Sequence, residues 1–306
     1  MTTTEPSGVA EYLDADAYLE RLGVDVDAVV EPDWETLARV QAAHVQSVPF
    51  ENLAIVGDPH PSVAPDGDGI DAEGVVLDTE HLYEKIVERE RGGYCYELNG
   101  LFHSLLDELG YDVDRVAARV VGSDGDDTPP ANHHSNVVNL HRSFVVDVGM
   151  GTPQMRQPTP LDGTEVTDDV GVTWRVIDSD RTDAEYETEY REPHASDWRT
   201  RYVFDTTPRD LAYFSATNDH LQHSTQSPFT GDPVLSIASS DGYRKLDANT
   251  HTIVTYEDVS RDGASPSIPA DVHDAQKRTL ERPIPAHDWH DHLRDVFGVE
   301  PTERPG

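Results

Sequence analysis

The segment Arg91-Gly92-Gly93-Tyr94-Cys95-Tyr96-Glu97-Leu98-Asn99-Gly100 contains the only cysteine of the chain. The glycine pair allows a sharp turn and a close approach of backbone to other groups. Cys95 follows at the start of a predicted helix, where free N–H groups and the helix dipole favour a thiolate. The same N–H groups suit an oxyanion. An ordinary thiol, with a pKa of about 8.5, is only slightly ionised at neutral pH, so a catalytic cysteine needs a base beside it. A lone cysteine is equally read as a small buried hydrophobe.

A base and an acid to orient it lie downstream. Asn132-His133-His134-Ser135 leads into an apolar strand, and Asp147 stands inside the apolar run Val145-Val146-Asp147-Val148-Gly149. A buried carboxylate needs a partner, and an aspartate that fixes the tautomer of a histidine is the logic of a catalytic triad. The alternatives are a strand-end aspartate bonded to a turn and histidines that only make a loop polar. One cysteine among scattered histidines gives no metal-ligand spacing, so no metal is expected.

Apolar periodicity places these residues on elements. Helical patterns run over Ala10–Leu22, Trp34–Val45, a segment capped by Asp78 or Thr79, and Tyr96–Leu109. The first third therefore reads as helical. Strand patterns follow at Val113–Val121, Val137–Leu140, Phe144–Val148, Val172–Ile177 and Arg201–Phe204, with Pro153–Thr159 and Asp178–Ser196 as polar connectors. Gly57–Gly74 and Gly122–Asn132 read as loops. The last third mixes a short helix at Leu211–His220, strands near Val234–Ile237 and Thr252–Tyr256, and a terminal helix at Trp289–Val296.

The 306 residues carry 23 Lys+Arg against 59 Asp+Glu, a net charge of −36, and the only lysines are Lys85, Lys245 and Lys277. Such a surface repels nucleic acid and anionic lipid, so neither is an expected partner. Self-repulsion of this size is relieved as the Debye length falls from ~10 Å at 0.1 M to ~3 Å at 1 M salt, which suggests a halophilic protein. A single cysteine excludes an intrachain disulfide framework. No basic region followed by an apolar stretch opens the chain, and no apolar run reaches the ~18 residues of a membrane helix. A soluble, cytoplasmic protein is expected.

These residues resemble the arylamine N-acetyltransferases. The family's Arg-Gly-Gly-x-Cys-x-Glu-x-Asn motif stands intact from Arg91 to Asn99. Pro49-Phe50-Glu51-Asn52-Leu53, Val146-Asp147-Val148-Gly149-Met150-Gly151 and Ser224-Thr225-Gln226-Ser227-Pro228-Phe229 are similar to three further family segments, in the same order. The resemblance implies an α+β fold with a cysteine-protease-like Cys-His-Asp core. Its parts are a helical bundle (1–110) carrying the nucleophile, a β-barrel-like domain (111–208) carrying the histidine and aspartate, and an α/β lid (209–306). It implies ping-pong acetyl transfer, with acetyl-CoA as co-substrate, a small amine as acceptor and no permanently bound cofactor.

By position, Cys95 is the nucleophile, Asp147 the orienting acid, and Phe50 part of the acceptor pocket. The family's histidine has an aliphatic residue five places on. His133 has Val138 there and His134 has Asn139. Neighbouring strand residues face opposite sides, so only one of the two reaches Cys95, and the pattern selects His133. Glu97 and Asn99 are expected to brace the helix start, and Arg91 to pair with a carboxylate. Met150 replaces the family's usual Phe, and few lysines are left to meet CoA phosphates. An amide synthase or a papain- or transglutaminase-like hydrolase would use the same triad.

Overall fold

The computed structural model describes residues 13–29, 31–65, 69–122, 128–193, 195–256 and 277–300. Helices dominate the first third: α1 (Ala15–Arg21), α2 (Trp34–Ser47), α3 (Leu53–Val56), α4 (Thr79–Tyr83) and α5 (Cys95–Glu108), with a two-residue strand, β1 (Phe50–Glu51). Asp14, Asp33 and Asp78 cap α1, α2 and α4 by accepting N–H groups of the first turn. The expected helix Ala10–Leu22 thus begins at Ala15; its first three residues lie outside the described ones, as does the whole N-terminal stretch 1–12. The expected loops Gly57–Gly74 and Gly122–Asn132 fall partly outside them too, at 66–68 and 123–127. α4 continues into a π-helical turn, Glu84–Glu88. Leu98, Leu101, Phe102, Leu105 and Leu106 of α5 are fully buried, which makes it the central helix of the first core.

The next eight strands are β2 (Asp112–Val120), β3 (His133–Asn139), β4 (Ser143–Val146), β5 (Thr159–Pro160), β6 (Val166–Thr167), β7 (Thr173–Asp178), β8 (Tyr186–Arg191) and β9 (Arg199–Pro208). They form one antiparallel sheet in the order β5-β4-β3-β2-β9-β8-β7-β6. Contacts between β5 and β7 bring its ends together into a nearly closed barrel. The barrel interior is packed by Val116, Val145, Met155, Trp174, Val176, Tyr202 and Phe204.

The last third holds α6 (Ser215–His223), β10 (Leu235–Ser239), β11 (Gly242–Leu246), β12 (Thr250–Tyr256), β13 (Lys277–Pro283) and α7 (Trp289–Phe297). Its sheet runs β1-β10-β11-β12-β13. The chain therefore has the expected α+β architecture, with a finding that differs from the sequence reading. The connector Asp178–Ser196 contains a full strand, β8, in which Thr188 and Tyr190 are buried between exposed or half-exposed charges. The polar connector Pro153–Thr159 is packed inside the protein, with Gln154, Met155, Arg156 and Thr159 all buried. Among the described residues no helix is long and apolar enough to cross a membrane.

Candidate active site

The site begins with the turn that delivers Cys95. Arg91-Gly92-Gly93 runs beside Pro49-Phe50-Glu51, with Glu51 N–H donating to Gly93 O (2.8 Å) and Gly93 N–H to Pro49 O (3.3 Å). A Cβ on Gly92 would lie 2.2 Å from Pro49 O, so only glycine lets the two segments meet. Beneath them lies a buried group of four charges. The Arg91 guanidinium pairs with Glu51 at 3.0 Å, and Lys85 pairs with Glu97 at 2.7 Å and Glu51 at 3.5 Å. The other Glu97 oxygen accepts the Tyr94 N–H at 3.0 Å and caps α5. Glu97 and Arg91 thus hold structure, as the sequence suggested. Burial raises the Glu51 carboxyl, but Lys85, Arg91 and the Leu53 N–H outweigh this and bring it down to about 2.

Asn99, one turn along α5, joins the helix to the sheet. Its Nδ2 donates to Asp147 Oδ1 (2.9 Å) and to His134 O (2.5 Å), and its Oδ1 accepts the Val148 N–H (2.9 Å). Asp147 is fully buried. Its Oδ1 also accepts the Gly149 N–H at 3.0 Å, and its Oδ2 lies 2.6 Å from His133 Nε2. Burial by itself would raise this carboxyl. The His133 imidazole and hydrogen bonds from His133, Asn99 and Tyr202 hold it below the usual carboxylate range. An ionised Asp147 makes Nε2 the donor, which leaves the lone pair of His133 on Nδ1. Gly149 is fixed by the same packing: a Cβ there would stand 2.6 Å from Asn99 Nδ2 and 2.8 Å from the Cys95 Cα.

The Cys95 sulfur lies at the entrance of β3, 3.9 Å from Asn132 O. Burial, reinforced by Asp147, pushes the thiol well above its ordinary value, while the N–H groups of Tyr96 and His134 pull the other way. A thiol in this position forms a nucleophile only if a neighbouring base takes its proton. His133 and Cys95 line the same cavity of about 450 Å³, together with Phe50, Phe229, Met150 and Arg201. Phe50, expected in an acceptor pocket, is in this wall, its ring 6.1 Å from that of Phe229. His134 faces elsewhere. Its ring stacks on Phe214 at 4.8 Å, and burial drives its pKa well below the usual value, so it is neutral.

Two residues near the cavity were not anticipated from the sequence. Tyr202 places its ring 5.0 Å from that of His133 and supports Asp147. Arg201 precedes it on β9. An arginine and a tyrosine opening the apolar run Val203-Phe204 were the available signal, but their facing depends on strand register. No group of three or more His, Cys, Asp or Glu suited to a metal occurs among the described residues.

Comparison with known proteins identifies the family. A family profile described as N-acetyltransferase matches residues 33–284. The arylamine N-acetyltransferase of Mycolicibacterium smegmatis is 31% identical over 246 residues, covering 76% of this chain and 80% of that protein. The pineal gland isozyme NAT-3 of Gallus gallus is 33% identical, covering 70% of this chain and 74% of that protein. The solved arylamine N-acetyltransferase from Mycobacterium abscessus superposes with a TM-score of 0.74 at 26% identity, over 94% of this chain and 90% of that one. With its nucleophile motif, its barrel and these relatives, the chain belongs to the arylamine N-acetyltransferase family of acyltransferases.

Proposed function

We propose that this protein transfers an acetyl group from acetyl-CoA to a small aromatic amine, hydrazine or hydroxylamine through an acetyl-Cys95 intermediate. The observation that carries the reading is the 2.6 Å His133–Asp147 pair opening into the cavity that also holds Cys95. His133 Nδ1 takes the Cys95 proton, and the sulfur attacks the thioester carbonyl carbon. The N–H groups at the start of α5 stabilise the tetrahedral oxyanion. The bond to the CoA sulfur breaks, and CoA leaves with the proton from His133. The acceptor nitrogen then attacks the acetyl carbon and His133 takes its proton. The bond from that carbon to the Cys95 sulfur breaks, the acetylated acceptor leaves, and the proton passes from His133 to the sulfur to restore the thiol. Phe50 and Phe229 supply apolar surface for the acceptor ring. Incubation with acetyl-CoA alone should add one acetyl group, about 42 Da, to Cys95, read by intact-mass and peptide mass spectrometry. Acetylation of another residue, or an active enzyme that is never acetylated, overturns the scheme.

The charge of −36 supports a second part of the reading, that the protein works in concentrated salt. Raising KCl from about 0.1 M to about 2 M should raise the melting temperature and restore activity lost at low salt, because screening removes self-repulsion. A melting temperature that is flat or falls across this range counts against it.

A further inference from the structure

Between Thr188↔Tyr202 and Glu189↔Thr200 the register of β8 and β9 shifts, so that Arg201 has no partner on β8. It is the extra residue of a β-bulge, a device that re-aims side chains beside active sites. Adjacent strand residues normally face opposite ways. Here Tyr202 packs on His133 while Arg201, next to it, lines the cavity shared with Cys95. Arg201 Nε donates to the sulfur of Met150 at 3.1 Å, a weak acceptor. Among the described residues no carboxylate lies within ion-pair distance of it. In a chain with 59 acidic residues, no Asp or Glu lines the cavity among the described residues, and Arg201 is its one permanently charged side chain.

Asp147 acts on this guanidinium from longer range, but its own oxygens are taken by His133, Asn99 and Gly149. No carboxylate therefore pairs directly with the half-buried fork of donors, whose planar geometry matches a carboxylate. The aromatic walls of Phe50 and Phe229 suit a ring next to it. We infer that Arg201 is a specificity-determining residue that binds the carboxylate of an aromatic amino acid acceptor, an aminoaryl carboxylate, while its amine meets the acetyl group on Cys95. The inference rests on the function proposed above.

The test compares kcat/KM for 4-aminobenzoate with that for the neutral 4-aminobenzamide, using acetyl-CoA as donor. The wild-type protein should favour the carboxylate, and Arg201→Gln should lower the carboxylate-to-amide ratio at least tenfold, the size expected for loss of a charge-assisted hydrogen bond. Arg201→Lys, which keeps the charge without the fork, should fall between them. If Arg201→Gln does not fold, Arg201→Lys and the relative inhibition of the wild type by benzoate and benzamide give the same comparison. A ratio that does not change on substitution, or equal inhibition by the two, overturns the inference. Loading of Cys95 with malonyl-CoA against acetyl-CoA forms the second arm. If Arg201→Gln slows only malonyl loading and leaves the acceptor ratio alone, the carboxylate belongs to the acyl group and the acceptor assignment is wrong. Failure of the wild type to acetylate Cys95 would instead remove the proposed reaction itself, a result distinct from an unchanged ratio.

Discussion

Asp147→Asn is expected to lower the rate of Cys95 acetylation by roughly 10⁴-fold without unfolding the protein. The reason lies in the partners of the two carboxylate oxygens. Oδ1 accepts N–H groups from Asn99 and Gly149, so the oxygen of an asparagine is required on that side. Its NH₂ must then face His133 Nε2, where it is a donor. That forces the ring proton onto Nδ1, the atom that has to receive the Cys95 proton. Geometry survives and the tautomer is wrong. Single-turnover acetylation with acetyl-CoA, monitored by mass spectrometry, measures the effect. A loss below tenfold would show that Asp147 does not set the tautomer. Circular dichroism of the variant separates this from loss of structure.

Arg91→Met should destabilise the fold by about 3–5 kcal/mol, because removing one member of a buried ionic group leaves an uncompensated charge. The side chain is 1% exposed and is paired with a fully buried Glu51. Without it, Glu51 and Glu97 share the single cation Lys85. At roughly 1.5 °C per kcal/mol for a chain of this size, the melting temperature drops by about 5–8 °C. Activity falls as well, since the same residue leads into Gly92-Gly93 and Cys95. The pH dependence has a definite sign. Glu51 is depressed from 4.5 to about 2 in the folded protein, so its contribution is present above 4.5 and is lost as pH falls toward 2. The variant should lose part of this acid-labile stability, and its denaturant midpoint should vary less between about pH 5 and about pH 3. A variant within about 1 kcal/mol of wild type would mean that the four charges are solvated in a way their burial does not suggest.

Much of the molecule can be read from local chemistry. Asp33 and Asp78 mark helix starts by residue type, and the Gly92-Gly93 turn into Cys95 is legible because it serves a close approach encoded in a few consecutive residues. β8 was hidden because its alternation is carried by Tyr186, Thr188 and Tyr190 against Glu187, Glu189 and Arg191, a pattern that charge density disguises as a connector. β13 has every residue exposed, so it offers no apolar signal and is defined only by its ladder with β12. The segments that hold Cys95, His133 and Asp147 could be singled out by residue type. Strand alternation says that only one of the two histidines reaches Cys95, and the resemblance to the family, with Val138 five places on, points to His133. The contacts that order them could not be read that way. Asn99 reaches Asp147 because α5 packs on β3, and Arg201 faces the cavity because β9 carries one residue more than β8 at that point.

Phe50 and Glu51, which come from the helical third of the chain, pair with Ser236 and Leu235 and form the first strand of the C-terminal sheet. Leu53, three residues after Phe50, packs in the third core beside Trp289 and Leu293. The C-terminal third is therefore not an exchangeable cassette. A chimera that grafts it from a relative must carry residues 49–53 along, or it leaves the β10 edge without its neighbour and open to association with other chains.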